Sequence, residues 1–155
     1  EDPSVFFFSI PEHPTFLYPG TGRRWEIGKG AGEGATLNAP MAPGAGDEEY
    51  RETFERQLTP AVARFRPDLI LLSAGFDAHR DDPIADLECT EEAYVHMTRR
   101  VLELADRHCG GRVVSVLEGG YRVESFVASA LAHIRTLQGR EEPPCSSAGG
   151  GSATS

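Results

Sequence analysis

Three short apolar runs constrain this chain most. They are "VFFFSI" (residues 5–10), "LILLSAG" (69–75) and "RVVSVLEG" (112–119). Each is too short to be a helix core, is rich in β-branched or aromatic residues, and is bounded by Pro, Gly or charged residues, as a buried strand is. Helical patterns separate and follow them. Tyr50, Phe54, Leu58, Val62 and Phe65 fall on one helix face within residues 47–65, and Pro60 is expected to bend or interrupt that helix. Thr90 followed by Glu91 and Glu92 reads as an N-cap with an acidic first turn, opening a helix that Gly110 and Gly111 stop near Cys109. "RVESFVASALAHIRTLQG" (122–139) is a further amphipathic helix, and "ATLNAPM" (35–41) a short strand. Strands alternating with helices imply an α/β fold with a mainly parallel sheet flanked by helices.

In such sheets ligands bind beyond the carboxyl ends of the strands. Three loops then share one edge: those after Ile10, after Gly75 and after Leu117. The second, "SAGFDAHRDDPIADL" (73–87), places Asp77, His79, Asp81, Asp82 and Asp86 at the mouth of a buried strand. Any one of these acids, taken alone, fits a turn or cap residue bonded to its own backbone. Asp82 stands apart because it precedes Pro83, which favours extended backbone there. The third loop opens with "LEGGY". Gly119 and Gly120 suit either a tight turn or close approach to a ligand. Tyr121 suits either packing on the next helix or donation to an oxyanion.

Other features exclude more than they assign. The net charge of −9, without a Lys/Arg cluster, disfavours phosphate-mediated nucleic-acid binding. "GKGAGEG" (28–34) fits neither dinucleotide nor P-loop spacing, and neither H-E-x-x-H nor G-x-S-x-G occurs. Three widely spaced cysteines argue against a disulfide framework and for reduced thiols in the cytoplasm. No run is long enough to span a membrane. Residues 11–34 form a long loop rich in Pro and Gly, with His13, Tyr18 and Trp25 in it. The segment 140–155 has the composition of a disordered tail, leaving residues 1–139 as the folded part.

Taken together, "LYPGTG" (17–22), "SAGFDAHRDDPIADL" (73–87) and "LEGGY" (117–121), in this order and spacing, resemble the histone deacetylase superfamily, which includes acetoin-utilisation proteins and acetylpolyamine amidohydrolases. The resemblance implies an arginase-like α/β fold, one catalytic zinc and hydrolysis of acetylated lysine, polyamines or small amides. It implies Asp82 as a metal ligand, with Asp77, His79 and Asp81 shaping its loop. It implies Tyr121 as the catalytic tyrosine and Tyr18, Gly119 and Gly120 as substrate-binding residues. Ser9 and Ile10 match a position where K+ is often held. The family's D-x-H ligand motif on an earlier strand, ahead of the acidic loop, and its tandem His pair do not occur in these residues, and Pro11 stands where many members carry His. The likeness is therefore to the carboxyl-terminal half of the domain, incomplete on its amino-terminal side. Alone it is expected to be inactive. A catalytically dead binding or scaffold module, and a sugar or phosphate enzyme on an open sheet, are the alternatives.

Overall fold

The computed structural model describes residues 1–16 and 20–139. Among the described residues four strands, four α-helices and a π-helical turn follow in chain order: β1 (Phe7–Ser9), β2 (Thr36–Asn38), α1 (Asp47–Thr53), the π-helical turn (Phe54–Leu58), α2 (Thr59–Phe65), β3 (Ile70–Ala74), α3 (Glu91–Cys109), β4 (Val113–Leu117) and α4 (Val123–Leu137). A 3-10 turn (Gly30–Gly32) lies in the long loop. β1 pairs with β2 and β3 with β4, both in parallel, as two separate ladders.

The expected interruption of the first helix is present, but it lies one turn before Pro60. Proline has no N–H and its ring crowds the preceding turn. The helix widens ahead of it: the Thr59 N–H reaches back to the Phe54 carbonyl, and the Thr59 hydroxyl donates to that oxygen at 3.0 Å. The apolar face survives. Phe54, Leu58 and Val62 pack with Val101 and Leu104 of α3, and Phe8, Ile70 and Val113 of three strands, with Ile10 just after β1, rest on that cluster. Each such side chain, when fully buried, contributes about 1.5–3 kcal/mol.

α3 begins as its sequence implies. The Glu92 N–H donates to the Thr90 hydroxyl oxygen. The Thr90 N–H and hydroxyl donate in turn to the two Asp47 carboxylate oxygens at 2.7 and 2.6 Å. One carboxylate at the start of α1 thereby fixes the start of α3. Gly110 closes α3 in the left-handed region, at φ +60°, where a Cβ would be strained. α4 is tied to both layers: His133 accepts or donates through Nδ1 with the Thr98 hydroxyl at 2.6 Å and through Nε2 with the Ser115 hydroxyl at 2.9 Å.

Among the described residues one face of the β3–β4 ladder is left uncovered: Leu71 is 70% exposed and Val116 53%, with Val114 also exposed. Parallel sheets are ordinarily covered on both faces. No helix among the described residues is long and apolar enough to cross a membrane.

Candidate functional site

The loop after β3 and the loop after β4 meet at the carboxyl edge of their ladder. The Glu118 N–H donates to the Ala74 carbonyl at 3.0 Å and the Phe76 N–H to the Gly119 carbonyl at 2.9 Å, so the pairing runs past both strand ends. Phe76 is buried and stacks against Tyr94, Phe126 and His133. That aromatic plug holds the root of the acidic loop, whose Arg80, Asp81 and Asp86 are exposed while Asp82 is buried.

Asp82 is 7% exposed. Its Oδ1 accepts the Ile84 N–H at 3.0 Å, and its Oδ2 accepts the Tyr121 N–H at 2.7 Å. The carboxylate is thus anchored by its own loop and by the "EGGY" loop, 39 residues away. Each oxygen keeps a further lone pair for another partner. The Tyr121 side chain is 60% exposed, so its hydroxyl is not held in the core.

The two glycines before Tyr121 are needed for this approach. A Cβ on Gly119 would lie 2.7 Å from an Asp77 oxygen. Gly120 has φ +137°, and a Cβ there would lie 2.7 Å from the Phe126 ring. Asp77, wedged under this turn, is half-buried, and burial raises its carboxyl above the usual range.

His79 is buried within the loop. Its Nδ1 accepts the Asp81 N–H at 3.1 Å, and its Nε2 lies 3.6 Å from a Glu91 oxygen. The Asp82 N–H donates to the His79 carbonyl at 2.8 Å. His79 therefore shapes the turn that presents Asp82. Glu12 is a residue that motif reading passed over. It is buried, and its carboxylate accepts the Asp86 N–H at 3.0 Å, linking the loop after β1 to the acidic loop. A lone Glu between two prolines carries no sequence signal for this; only the shared edge brings it there. His13 stacks on Phe16. Ser9 closes β1, in register with Asn38, and Ile10 follows it. Tyr18 and the tail 140–155 lie outside the described residues.

A zinc site requires at least three converging protein donors. Among the described residues no group of three or more His, Cys, Asp or Glu is placed to hold a metal ion. The residues present do not make a zinc site by themselves, and Asp82 is one donor at most.

The chain is similar to known proteins over most of its length. Residues 1–137 match the family described as "Histone deacetylase domain". The chain is 47% identical over 141 residues to "Histone deacetylase 14, chloroplastic" of Arabidopsis thaliana, covering 91% of this chain and 33% of that protein. It is 48% identical over 123 residues to a "Probable deacetylase" of Archaeoglobus fulgidus, covering 79% and 34%. It is 37% identical over 156 residues to "Polyamine deacetylase HDAC10" of Homo sapiens, covering 94% and 22%. Among solved structures, the HDA15 HD domain superposes with a TM-score of 0.82 at 38% identity, covering 92% of this chain and 39% of that one. The chain spans about a third or less of the length of these curated relatives.

Proposed function

Because the chain belongs to the histone deacetylase family, we propose that the protein containing it hydrolyses acetylated amines: acetylated lysine, acetylated polyamines or small amides. The observation that carries this reading is the hydrogen bond from the Tyr121 N–H to the Asp82 carboxylate. It joins the two residues that the family resemblance singles out, from loops far apart in sequence. In this reading Tyr121 donates from its hydroxyl to the oxyanion that forms on the amide carbonyl, where a fixed donor is worth most. Gly119 and Gly120 let the backbone approach the substrate, and Tyr18 packs on the stem of the acylated amine. Ser9 and Ile10 hold K+ at the end of β1.

Zinc belongs to the complete domain in this proposal, with Asp82 as this chain's one ligand. When bound, the metal supplies Lewis-acid polarisation of the amide carbonyl. By itself the 155-residue chain is proposed to be inactive, since it offers one donor of the three required. The buried free thiols Cys89 and Cys109 support a reducing compartment such as the cytoplasm.

The test is release of acetate from an acetyl-lysine peptide and from an acetylated polyamine, by a protein carrying this chain within a whole deacetylase domain. Chelator-sensitive release from either substrate supports the proposal. A zinc-loaded whole domain that releases acetate from neither would refute it.

A further inference from the structure

Packing does not hold the limb of the acidic loop that runs on from Asp82. Pro83, Ile84 and Asp86 are exposed and Ala85 is only partly buried; Leu87 is the first residue after Asp82 to enter the core. Ile84 nevertheless has a task at the candidate site, because its N–H is the donor to Asp82 Oδ1. Whatever fixes residues 83–86 therefore fixes one of the two bonds that aim the Asp82 carboxylate.

The limb is gripped at Asp86. Its carbonyl accepts the Gly44 N–H at 2.6 Å, and its N–H donates to Glu12 Oε2 at 3.0 Å. The first grip is backbone on backbone, and it continues in the bond from the Glu88 N–H to the Ala45 carbonyl at 2.8 Å. The second comes from a side chain of a different loop, and that side chain is itself held. The Met41 N–H donates to the Pro11 carbonyl and the His13 N–H to the Met41 carbonyl, each at 2.8 Å, so backbone bonds flank Glu12 on both sides. Glu12 is 4% exposed. Among the described residues the Asp86 N–H is the one donor to its carboxylate. Burying a carboxylate is unfavourable unless charged hydrogen bonds offset the lost hydration. An apolar residue of similar size would fill this place without that cost. A buried charge directed at a single loop amide points to a task of orientation.

We infer that Glu12 is a positioning residue for the candidate site. From the loop after β1 it holds the Asp86 N–H, keeps residues 83–86 in place, and so keeps the Ile84 N–H on Asp82 Oδ1. With the Tyr121 N–H on Oδ2, the Asp82 carboxylate is fixed at both oxygens, and its direction depends on three loops rather than two. Glu12 touches no reacting atom in this scheme and acts only through the acidic loop. Its effect on turnover rests on the proposed function; its effect on the loop does not.

The experiment compares Glu12→Met and Glu12→Gln in a whole deacetylase domain carrying this chain. Met keeps a stem of similar length and removes the charged acceptor; Gln keeps an acceptor oxygen. Amide hydrogen exchange is followed at single residues. In Glu12→Met the Asp86 and Ile84 amides should exchange about ten- to a hundredfold faster, the worth of a hydrogen bond to a charged acceptor. The Ile70 and Glu118 amides, bonded to the Arg112 and Ala74 carbonyls in the β3–β4 ladder, should not change. Glu12→Gln should return Ile84 to the wild-type rate. In the same proteins, turnover of an acetylated substrate should fall about 10–100-fold in Glu12→Met, with KM little changed, and recover in Glu12→Gln. Three results would overturn the inference: an Ile84 amide that stays slow in Glu12→Met, equal acceleration at Ile70 and Glu118, or a loosened loop with turnover unchanged. A wild-type domain that hydrolyses neither acetyl-lysine peptide nor acetylated polyamine, while the exchange rates follow the expected pattern, would count against the proposed function alone.

Discussion

Substituting Gly120 by Ala should cost stability through two separable effects. The first is backbone strain: φ is +137°, where an L-residue pays about 1–3 kcal/mol. The second is steric. The new Cβ would lie 2.7 Å from Cδ2 of Phe126 and 3.3 Å from its Cγ. Phe126 cannot simply swing aside, because its ring stands edge-on to Phe76 at 5.9 Å. Overfilling a packed site of this kind costs about 1–3 kcal/mol. Together the two effects come to about 3–4 kcal/mol, or roughly 10 °C in melting temperature for a chain of this size. Removing the ring should remove only the second. In a double-mutant cycle of Gly120→Ala with Phe126→Ala, urea unfolding followed by circular dichroism should give a favourable coupling of about 1–2 kcal/mol. Strictly additive effects would refute the steric part. A Gly120→Ala protein as stable as wild type would refute both, and with them the reason that this turn holds Tyr121 against Asp82.

Three further outcomes follow from named groups. Burial lowers the His133 pKa below its ordinary 6.5, so the unfolded chain binds more protons as pH falls through that value. Stability should be full above about pH 7 and fall as pH drops below the ordinary value toward the lower folded-state one; urea midpoints measured across acidic pH should show the slope, and His133→Gln should flatten it. Cys89 is fully buried and its thiol is pushed up to about 12, chiefly by burial, so it should stay unmodified by a thiol reagent at neutral pH until urea unfolds the chain; mass-mapped labelling checks this. The chain alone should bind zinc weakly or not at all; tight stoichiometric binding in a titration, lost in Asp82→Ala, would reveal donors that the described geometry does not bring together.

The sequence was most legible where local chemistry decides. The Thr90 cap, the Gly110 stop and the helix face from Tyr50 to Val62 are local patterns, and each forms as its residues imply. Pro60 marked a real disturbance, but the helix absorbs it upstream, because the donor that proline lacks leaves a carbonyl of the preceding turn to be rearranged. Asp82 and Tyr121 could be chosen as candidates from motifs alone; their contact could not. It depends on β3 pairing with β4 in a register that carries both loops past the strand ends. Glu12 was missed for the same reason, since its partner Asp86 is 74 residues away. Which strands pair, β1 with β2 and β3 with β4 but not β1 with β3, could not be read from the strand patterns. Apolar strands announce that they will pair, but not with which neighbour.

The central claim is that Asp82 and Tyr121 do different work at one site. It is tested most directly by measuring zinc content and deacetylase turnover together, in a whole domain carrying this chain, for Tyr121→Phe and Asp82→Asn. Tyr121→Phe removes one hydroxyl donor and should keep the zinc while turnover falls by about 10²–10³. Asp82→Asn should lose zinc and turnover together. A Tyr121→Phe domain with zinc retained and turnover near wild type would contradict the account, and would leave Gly119–Tyr121 as a structural turn beside Asp82.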